Sequence, residues 1–125
     1  MKGAAIQKIG QIGIPVKNVE RALHFYQHQL GLQLLFHTET MAFLECRDVR
    51  IMLILPEKEQ FSRPSSVIYF QVDNIHHTYE ELKVKSISFI DEPHVVAKMD
   101  HSETWMTFFE DTEGNVHAFM SETTI

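Results

Sequence analysis

The chain has 125 residues, of which 44% are apolar and 22% charged, and its net charge is −6. This length is enough for one domain that buries roughly two thirds of its unfolded surface. The single cysteine, Cys46, excludes an intrachain disulfide and a cysteine-based zinc site, and it suits a reducing cytoplasm. An acidic charge without a basic stripe argues against nucleic acid as a partner. No apolar run approaches the ~18 residues of a membrane span, and the first residues lack the apolar segment of a secretion signal, so we expect a cytoplasmic protein.

The first predicted elements are a strand and a helix that follow each other directly. Ile12, Ile14 and Val16 alternate with other residues, which is typical of a strand with one buried face. Asn18 is suited to cap a helix, and Gly31 is suited to the left-handed turn that ends one. Between them, apolar side chains recur at helical spacing: Val19, Ala22, Leu23, Tyr26 and Leu30.

Three further strands are predicted in the first half of the chain, over residues 33–38, 41–47 and 50–55. The two-residue gaps between them are short enough for hairpin turns. Residues 56–65 are polar and contain two prolines, so we interpret them as a linker.

A second copy of the strand and helix begins at Val67. The matching positions are 56 residues apart: Val16 and Val72, Asn18 and Asn74, Val19 and Ile75. A period this long indicates a duplicated supersecondary module, and two copies form one pseudo-symmetric domain.

The second copy continues with a predicted strand at 87–90 and an irregular segment at 91–100. Two last strands, 104–110 and 115–121, are joined by a turn in which Gly114 can supply a positive φ. Each module therefore has the order βαβββ.

These elements predict an α+β fold in a single domain over residues 1–125. It consists of two tandem βαβββ modules, 8–55 and 66–122, joined by the linker 56–65. The helices should lie on the outer face of curved mixed sheets, whose other faces line a shared cavity. Strand alternation predicts which residues face this cavity, and we add Trp105 from the last third of the chain. The predicted substrate pocket is mostly apolar and consists of Gln11, Met52, Ile54, Val67, Tyr69, Gln71, Trp105 and Ala118.

Four segments together resemble the vicinal oxygen chelate superfamily, which includes glyoxalases, extradiol dioxygenases and bleomycin resistance proteins. The segments are the strand and helix at 12–26, Leu-Gly-Leu at 30–32, Phe-Gln-Val-Asp-Asn-Ile at 70–75, and Phe-Phe-Glu-Asp-Thr-Glu-Gly-Asn at 108–115. The resemblance covers residues 8–122 and implies the fold described above. It does not specify a reaction, because this scaffold carries many chemistries.

The resemblance also implies where a divalent metal would be held, with one ligand from each of four strands. Carried over residue by residue, these positions are Gln11, Met52, Val67 and Ala118. Glutamine is an acceptable oxygen ligand, but valine and alanine have no donor atom and a thioether suits only soft metals. We therefore expect no metal and no other cofactor, with a displaced divalent site as the alternative.

Two histidines are the candidate catalytic residues. His94 and His101 bracket the irregular segment that precedes Trp105, and long loops in compact domains are often binding loops. Histidine in such a loop can act as a general acid or base near neutral pH. The alternative is that both are polar loop residues. His117, by contrast, falls on the helix-facing side of its strand and is expected in the core.

Three functional hypotheses follow. The first is a metal-independent cytoplasmic protein that binds a small organic molecule, similar to the bleomycin resistance type. The second is an enzyme of the superfamily, a lyase, isomerase or dioxygenase, which uses either histidine acid–base chemistry or a displaced metal site. The third is a dimerising scaffold, since members of the superfamily commonly form homodimers, sometimes by exchanging modules. The ligand itself is not specified by the sequence.

Overall fold

The computed structural model describes residues 8–56, 66–98 and 100–124. The chain divides into two compact units, residues 1–62 and 63–125. The predicted α+β class is confirmed, with one mixed sheet in each unit. Most of the predicted linker, residues 57–65, lies outside the described residues. No helix among the described residues is long and apolar enough to cross a membrane.

The described elements of the first unit are β1 Gln11–Pro15, α1 Val19–His24, a π-helical turn Phe25–Gln29, β2 Gln33–His37, β3 Met41–Cys46 and β4 Val49–Ile54. Its sheet has the strand order β1-β4-β3-β2. The β1–β4 pair is parallel, whereas β4–β3 and β3–β2 are antiparallel.

The helix of the first unit begins as predicted but winds differently at its end. The Asn18 side chain accepts a hydrogen bond from the Arg21 amide at 3.0 Å, which caps the first turn. After His24 the chain widens into the π-helical turn, where the Leu30 amide donates to the Phe25 carbonyl at 3.0 Å. Gly31 then adopts φ +82°, the left-handed conformation expected where a helix ends.

One face of the first sheet forms a core with the helix and the π-helical turn. Its fully buried residues come from alternate strand positions, as the alternation predicts, and each such aliphatic side chain contributes roughly 1.5–3 kcal/mol by leaving water. They are Ile14, Ala42, Leu44, Ile51 and Leu53, with Ala22 and Tyr26 from the helical segment.

The described elements of the second unit are β5 Tyr69–Gln71, α2 Ile75–Val84, β6 Ser88–Phe89, β7 His94–Lys98, β8 Ser102–Glu110 and β9 Val116–Thr124. Its sheet has the strand order β5-β9-β8-β6, and β7 also pairs with β8. The β5–β9 pair is parallel and the pairs with β8 are antiparallel.

The prediction that residues 91–100 are irregular is wrong for half of that segment. His94–Lys98 forms β7, paired antiparallel with β8 and interrupted by a bulge between Val95 and Ala97. The bulge breaks the period-two alternation that would have marked a strand, so the pattern was hidden in the sequence. His94 and His101 therefore belong to a hairpin and do not bracket a long loop.

Aromatic side chains form the core of the second unit between α2 and the sheet. Ile75, Tyr79 and Leu82 are the buried residues of α2, and the Asn74 side chain caps this helix by accepting from the His77 amide at 3.0 Å. Phe109 and Phe119 stack with centroids 4.5 Å apart. The cluster is completed by the rings of Phe70, Phe89 and His117.

Candidate functional site

In the first unit, the parallel β1–β4 pairing brings Gln11 beside Arg50 and Gly13 beside Met52. Arg50 Nε donates a hydrogen bond to Gln11 Oε1 at 2.8 Å. The other side-chain atom of the amide, Gln11 Nε2, lies 3.5 Å from Met52 Sδ. The oxygen that the family resemblance assigns to a metal is thus bound by a guanidinium, which would repel a divalent cation.

The remaining two family positions lie in the second unit and have no donor atoms. Val67 is in the segment just before β5, and Ala118 is fully buried in β9. Within residues 8–56, 66–98 and 100–124, no group of three or more histidine, cysteine, aspartate or glutamate side chains is placed to hold a metal ion. The residues at the family positions therefore do not fit a divalent cation.

The sheet face of the first unit that points away from α1 combines aromatic, thioether and cationic groups. We call it the first sheet face: Gln11, Gly13, Phe36, Met41, Phe43, Glu45, Arg50, Met52 and Ile54. The Arg50 guanidinium lies over the Phe43 ring, 5.2 Å from its centroid. The rings of Phe43 and Phe36 stack with centroids 6.3 Å apart. Of the predicted pocket residues, Gln11, Met52 and Ile54 share this face.

A β-bulge at Leu35 accounts for the position of Phe36. Leu34 pairs with the buried Leu44, but the next pair is Phe36 with Phe43 because Leu35 is extra. Without the bulge, Phe36 would pair with Ala42 on the helix side of the sheet. The bulge instead exposes 59% of Phe36 on the first sheet face.

The corresponding face of the second unit, which we call the second sheet face, is also mainly apolar. It contains Tyr69, Gln71, His94, Met106, Phe108, Ala118 and Met120. Tyr69 packs edge-on against Phe108 with centroids 6.2 Å apart. The predicted pocket residues Tyr69, Gln71 and Ala118 therefore occupy adjacent ladder positions. Trp105 lies on the opposite face, where its ring contacts that of His76 in α2 at 4.9 Å.

His94 is held at the edge of the second sheet face. Its Nδ1 atom is 2.7 Å from the Glu92 carbonyl oxygen and 4.0 Å from Asp91 Oδ2. Asp91 is fixed in turn, because its Oδ1 accepts from Thr107 Oγ1 at 3.1 Å and from the Phe108 amide at 2.8 Å. A donor at Nδ1 leaves Nε2 as the proton acceptor of the neutral ring.

The second candidate catalytic histidine has a different setting. His101 is exposed and immediately precedes β8, at the turn of the β7–β8 hairpin. The register places Met106, the ladder partner of His94, further along β8 from this turn. The structure therefore does not group the two histidines in one cluster.

His117 is fully buried on the helix side of β9, as expected from the sequence. Burial lowers its pKa from the usual 6.5, and the nearby Asp111 carboxylate opposes part of that effect. Its Nε2 lies 3.8 Å from Asp111 Oδ2. His117 is therefore a core residue, on the face of β9 opposite to Ala118.

Two features of these faces were missed in the sequence. Strand alternation places Arg50 on the same side of β4 as Met52 and Ile54. A cation beside these two predicted pocket residues could therefore have been predicted from the sequence. The exposure of Phe36 depends on the bulge, for which no signal is visible. A groove of about 520 Å³ in the first unit was also not predicted; it is lined by Asn18, Val19, Glu20, Leu23, His37, Thr38, Glu39 and Leu55.

Comparison with known proteins identifies the family to which this fold belongs. The sequence model of the Glyoxalase/Bleomycin resistance protein/Dioxygenase superfamily matches residues 8–119, so the chain belongs to that superfamily.

Individual relatives are more distant. Catechol-2,3-dioxygenase of Bacillus subtilis is 27% identical over 115 residues, which span 86% of this chain and 39% of that protein. The chain thus spans about two fifths of the length of this relative.

Solved structures share the fold at low identity. A superfamily member from Sphaerobacter thermophilus has a TM-score of 0.78 at 20% identity, covering 94% of this chain and 99% of its own. Lactoylglutathione lyase from Agrobacterium tumefaciens has a TM-score of 0.76 at 13% identity, with coverages of 94% and 96%. An antibiotic binding protein from a Streptomyces species also has a TM-score of 0.76, at 18% identity with coverages of 97% and 100%.

Proposed function

We propose that this protein binds a small organic molecule on its apolar sheet faces without a divalent metal, in the manner of a bleomycin-resistance-type binding protein. The observation that carries the proposal is the hydrogen bond from Arg50 to Gln11. It places a fixed positive charge on the only oxygen donor among the four family positions. A metal site would need that oxygen unoccupied and further donors nearby.

The composition of the two sheet faces supports a ligand that is largely apolar. Phe36, Phe43 and Met52 in the first unit, and Tyr69 and Phe108 in the second, offer aromatic and thioether surface. Small-molecule sites are typically apolar with a few placed polar groups. The likeness of fold to an antibiotic binding protein is consistent with this proposal.

The experiment is a binding titration with N-phenyl-1-naphthylamine, a neutral aromatic probe whose fluorescence rises in apolar surroundings. We expect saturable binding that is unchanged by a chelator, together with substoichiometric metal by elemental analysis of untagged protein. Phe43→Ala should weaken binding, whereas Val84→Ala should not, because Val84 is an exposed apolar residue of α2, outside both sheet faces. Stoichiometric metal that is required for binding, or no binding of the probe, would overturn the proposal.

A second candidate function, an enzyme that moves a proton on its ligand, is favoured by the setting of His94. Asp91 and the Glu92 carbonyl fix the Nδ1 side of the ring, so Nε2 is available as a general base beside Met106. Catalytic histidines are commonly oriented by a carboxylate or carbonyl in this way. His101 has no such orienting contact among the described residues.

This second candidate is tested with phenylpyruvate, whose C3 protons are acidic. Deuterium uptake at C3 from heavy water, followed by NMR, should be faster with the protein than in buffer. His94→Gln should remove the acceleration, and His101→Gln should retain it. Equal rates for the wild type and His94→Gln would exclude His94 as the base.

The setting of the protein is proposed from the sequence and the family. We propose a homodimer in the cytoplasm, since Cys46 is the only cysteine and superfamily members commonly pair. Light scattering coupled to size-exclusion chromatography tests the homodimer, and a monomer at micromolar concentration would contradict it.

A further inference from the structure

We propose that Arg50 makes the first sheet face selective for organic anions that carry an aromatic body. This inference rests on the proposed binding function and adds the chemical class of the ligand. It follows from three features of the first unit: the orientation of the guanidinium, the exposed aromatic pair beside it, and the charges around it.

Two contacts restrict the orientation of the guanidinium. Gln11 Oε1 accepts from Nε at 2.8 Å, and the central carbon Cζ lies over the Phe43 ring, 5.2 Å from its centroid. Arginine has further donors in its two terminal amino groups. Those of Arg50 make no hydrogen bond within residues 8–56, 66–98 and 100–124. A planar fork with its terminal donors available matches a carboxylate or sulfonate, which it binds through two parallel hydrogen bonds.

The aromatic pair next to Arg50 supplies a surface for the body of the ligand. The Arg50 guanidinium lies over the Phe43 ring, and this ring stacks on that of Phe36 with centroids 6.3 Å apart. Phe36 is 59% exposed, although an aromatic side chain of this size normally gains by burial. The bulge at Leu35 keeps it on this face. Bulges frequently re-aim side chains next to binding sites.

The charges around Arg50 favour the binding of a monoanion, with modest affinity, over that of a polyanion. Glu45 is directly opposite Arg50 in the β3–β4 register. No ion pair joins these two residues in the part of the chain that the structure describes. Directly paired cross-strand side chains have Cβ atoms about 5 Å apart, so the carboxylate of Glu45 competes with an incoming anion. Its removal should therefore strengthen anion binding.

The test uses two probes that differ only by one anionic group. These are 1-anilinonaphthalene-8-sulfonate and its neutral analogue N-phenyl-1-naphthylamine, each titrated against the full chain. Arg50→Gln should weaken the sulfonate at least about tenfold, as expected for loss of a charge-assisted hydrogen bond, and change the neutral probe less than about twofold. Arg21→Gln is the matched control, since it removes the same charge from α1, on the side of the sheet opposite to the first sheet face.

Two further variants locate the probe and check the electrostatics. Phe36→Ala should weaken both probes, because both stack on the aromatic pair. Glu45→Gln should strengthen the sulfonate severalfold and leave the neutral probe unchanged. Circular dichroism of each variant checks that the fold is retained.

The outcomes separate this inference from the proposed function. If both probes bind but Arg50→Gln and Arg21→Gln affect the sulfonate equally, selectivity for anions at Arg50 is refuted and small-molecule binding stands. If Phe36→Ala changes neither probe, the first sheet face is not where they bind and the inference fails. If neither probe binds the wild type, the proposed function fails with it.

Discussion

His117 is predicted to make the second unit less stable as the pH falls below about 6.5. The ring is fully buried and its pKa lies below the usual 6.5, because burial penalises the charged form more than Asp111 stabilises it. Between the folded and unfolded pKa values the unfolded chain therefore binds more protons than the folded one. The free energy of unfolding then rises with pH and is lost as the pH falls toward the folded pKa.

The magnitude of this effect is limited by a single proton. A difference of one bound proton gives a slope of about 1.4 kcal/mol per pH unit at most, and the slope vanishes above the unfolded pKa and below the folded one. His117→Gln removes the titration and is expected to retain a polar side chain near the Asp111 carboxylate, to which the native ring lies within 3.8 Å. The variant should therefore lack this component of the pH dependence.

The assay is urea unfolding followed by the fluorescence of Trp105, the single tryptophan, which pairs with Ser121 in the same sheet as His117. The quantity to compare is the difference in unfolding free energy between wild type and variant from about pH 5 to pH 8. His101→Gln, an exposed histidine of the same unit, serves as the control. Parallel curves for the wild type and His117→Gln would refute the reasoning.

Three other outcomes are expected. Calorimetric titration with nickel, zinc, manganese or iron(II) should give no saturable heat, whereas a one-to-one isotherm would contradict the assignment of Arg50 to the Gln11 oxygen. Asn74→Ala should cost about 1 kcal/mol in chemical denaturation by removing the cap on α2, and an unchanged midpoint would show that the cap is dispensable. Asp111→Ala should lower the free energy of unfolding by about 3 kcal/mol, because Asp111 Oδ1 accepts from two backbone amides at 2.8 Å. Thr112→Ala, at an exposed neighbouring position, should change it by less than about 0.5 kcal/mol. Equal effects of the two substitutions would contradict this prediction.

The fold was predictable where local chemistry repeats. Asn18 and Asn74, 56 residues apart, both cap helices through the amide three residues later, as the repeat predicted. These features depend on short-range signals that a single sequence contains.

The deviations arise where one residue is inserted into a regular element. The π-helical turn Phe25–Gln29, the bulge at Leu35 and the bulge between Val95 and Ala97 each shift the following side chains by one position. Such insertions are stabilised by tertiary packing and leave no periodic pattern. That is why β7 was predicted as a loop and why the side of the sheet reached by Phe36 was not predictable.

For the candidate site, the resemblance located the family's metal-ligand positions but did not predict which groups bind a ligand in this chain. The four family positions indicated that the metal ligands are missing, since valine and alanine have no donor atoms. They gave no information about Arg50, which is not one of these positions. Arg50 at the neighbouring ladder position gives Gln11 a different role, because the amide oxygen accepts from a guanidinium and so orients a cation that belongs to the protein. A guanidinium attracts anions by hydrogen bonding in a fixed plane, whereas a metal ion accepts ligands into open coordination positions. The same scaffold can therefore recognise an acidic ligand with a covalently attached charge, and selectivity between the sulfonate and neutral probes measures whether this chain does so.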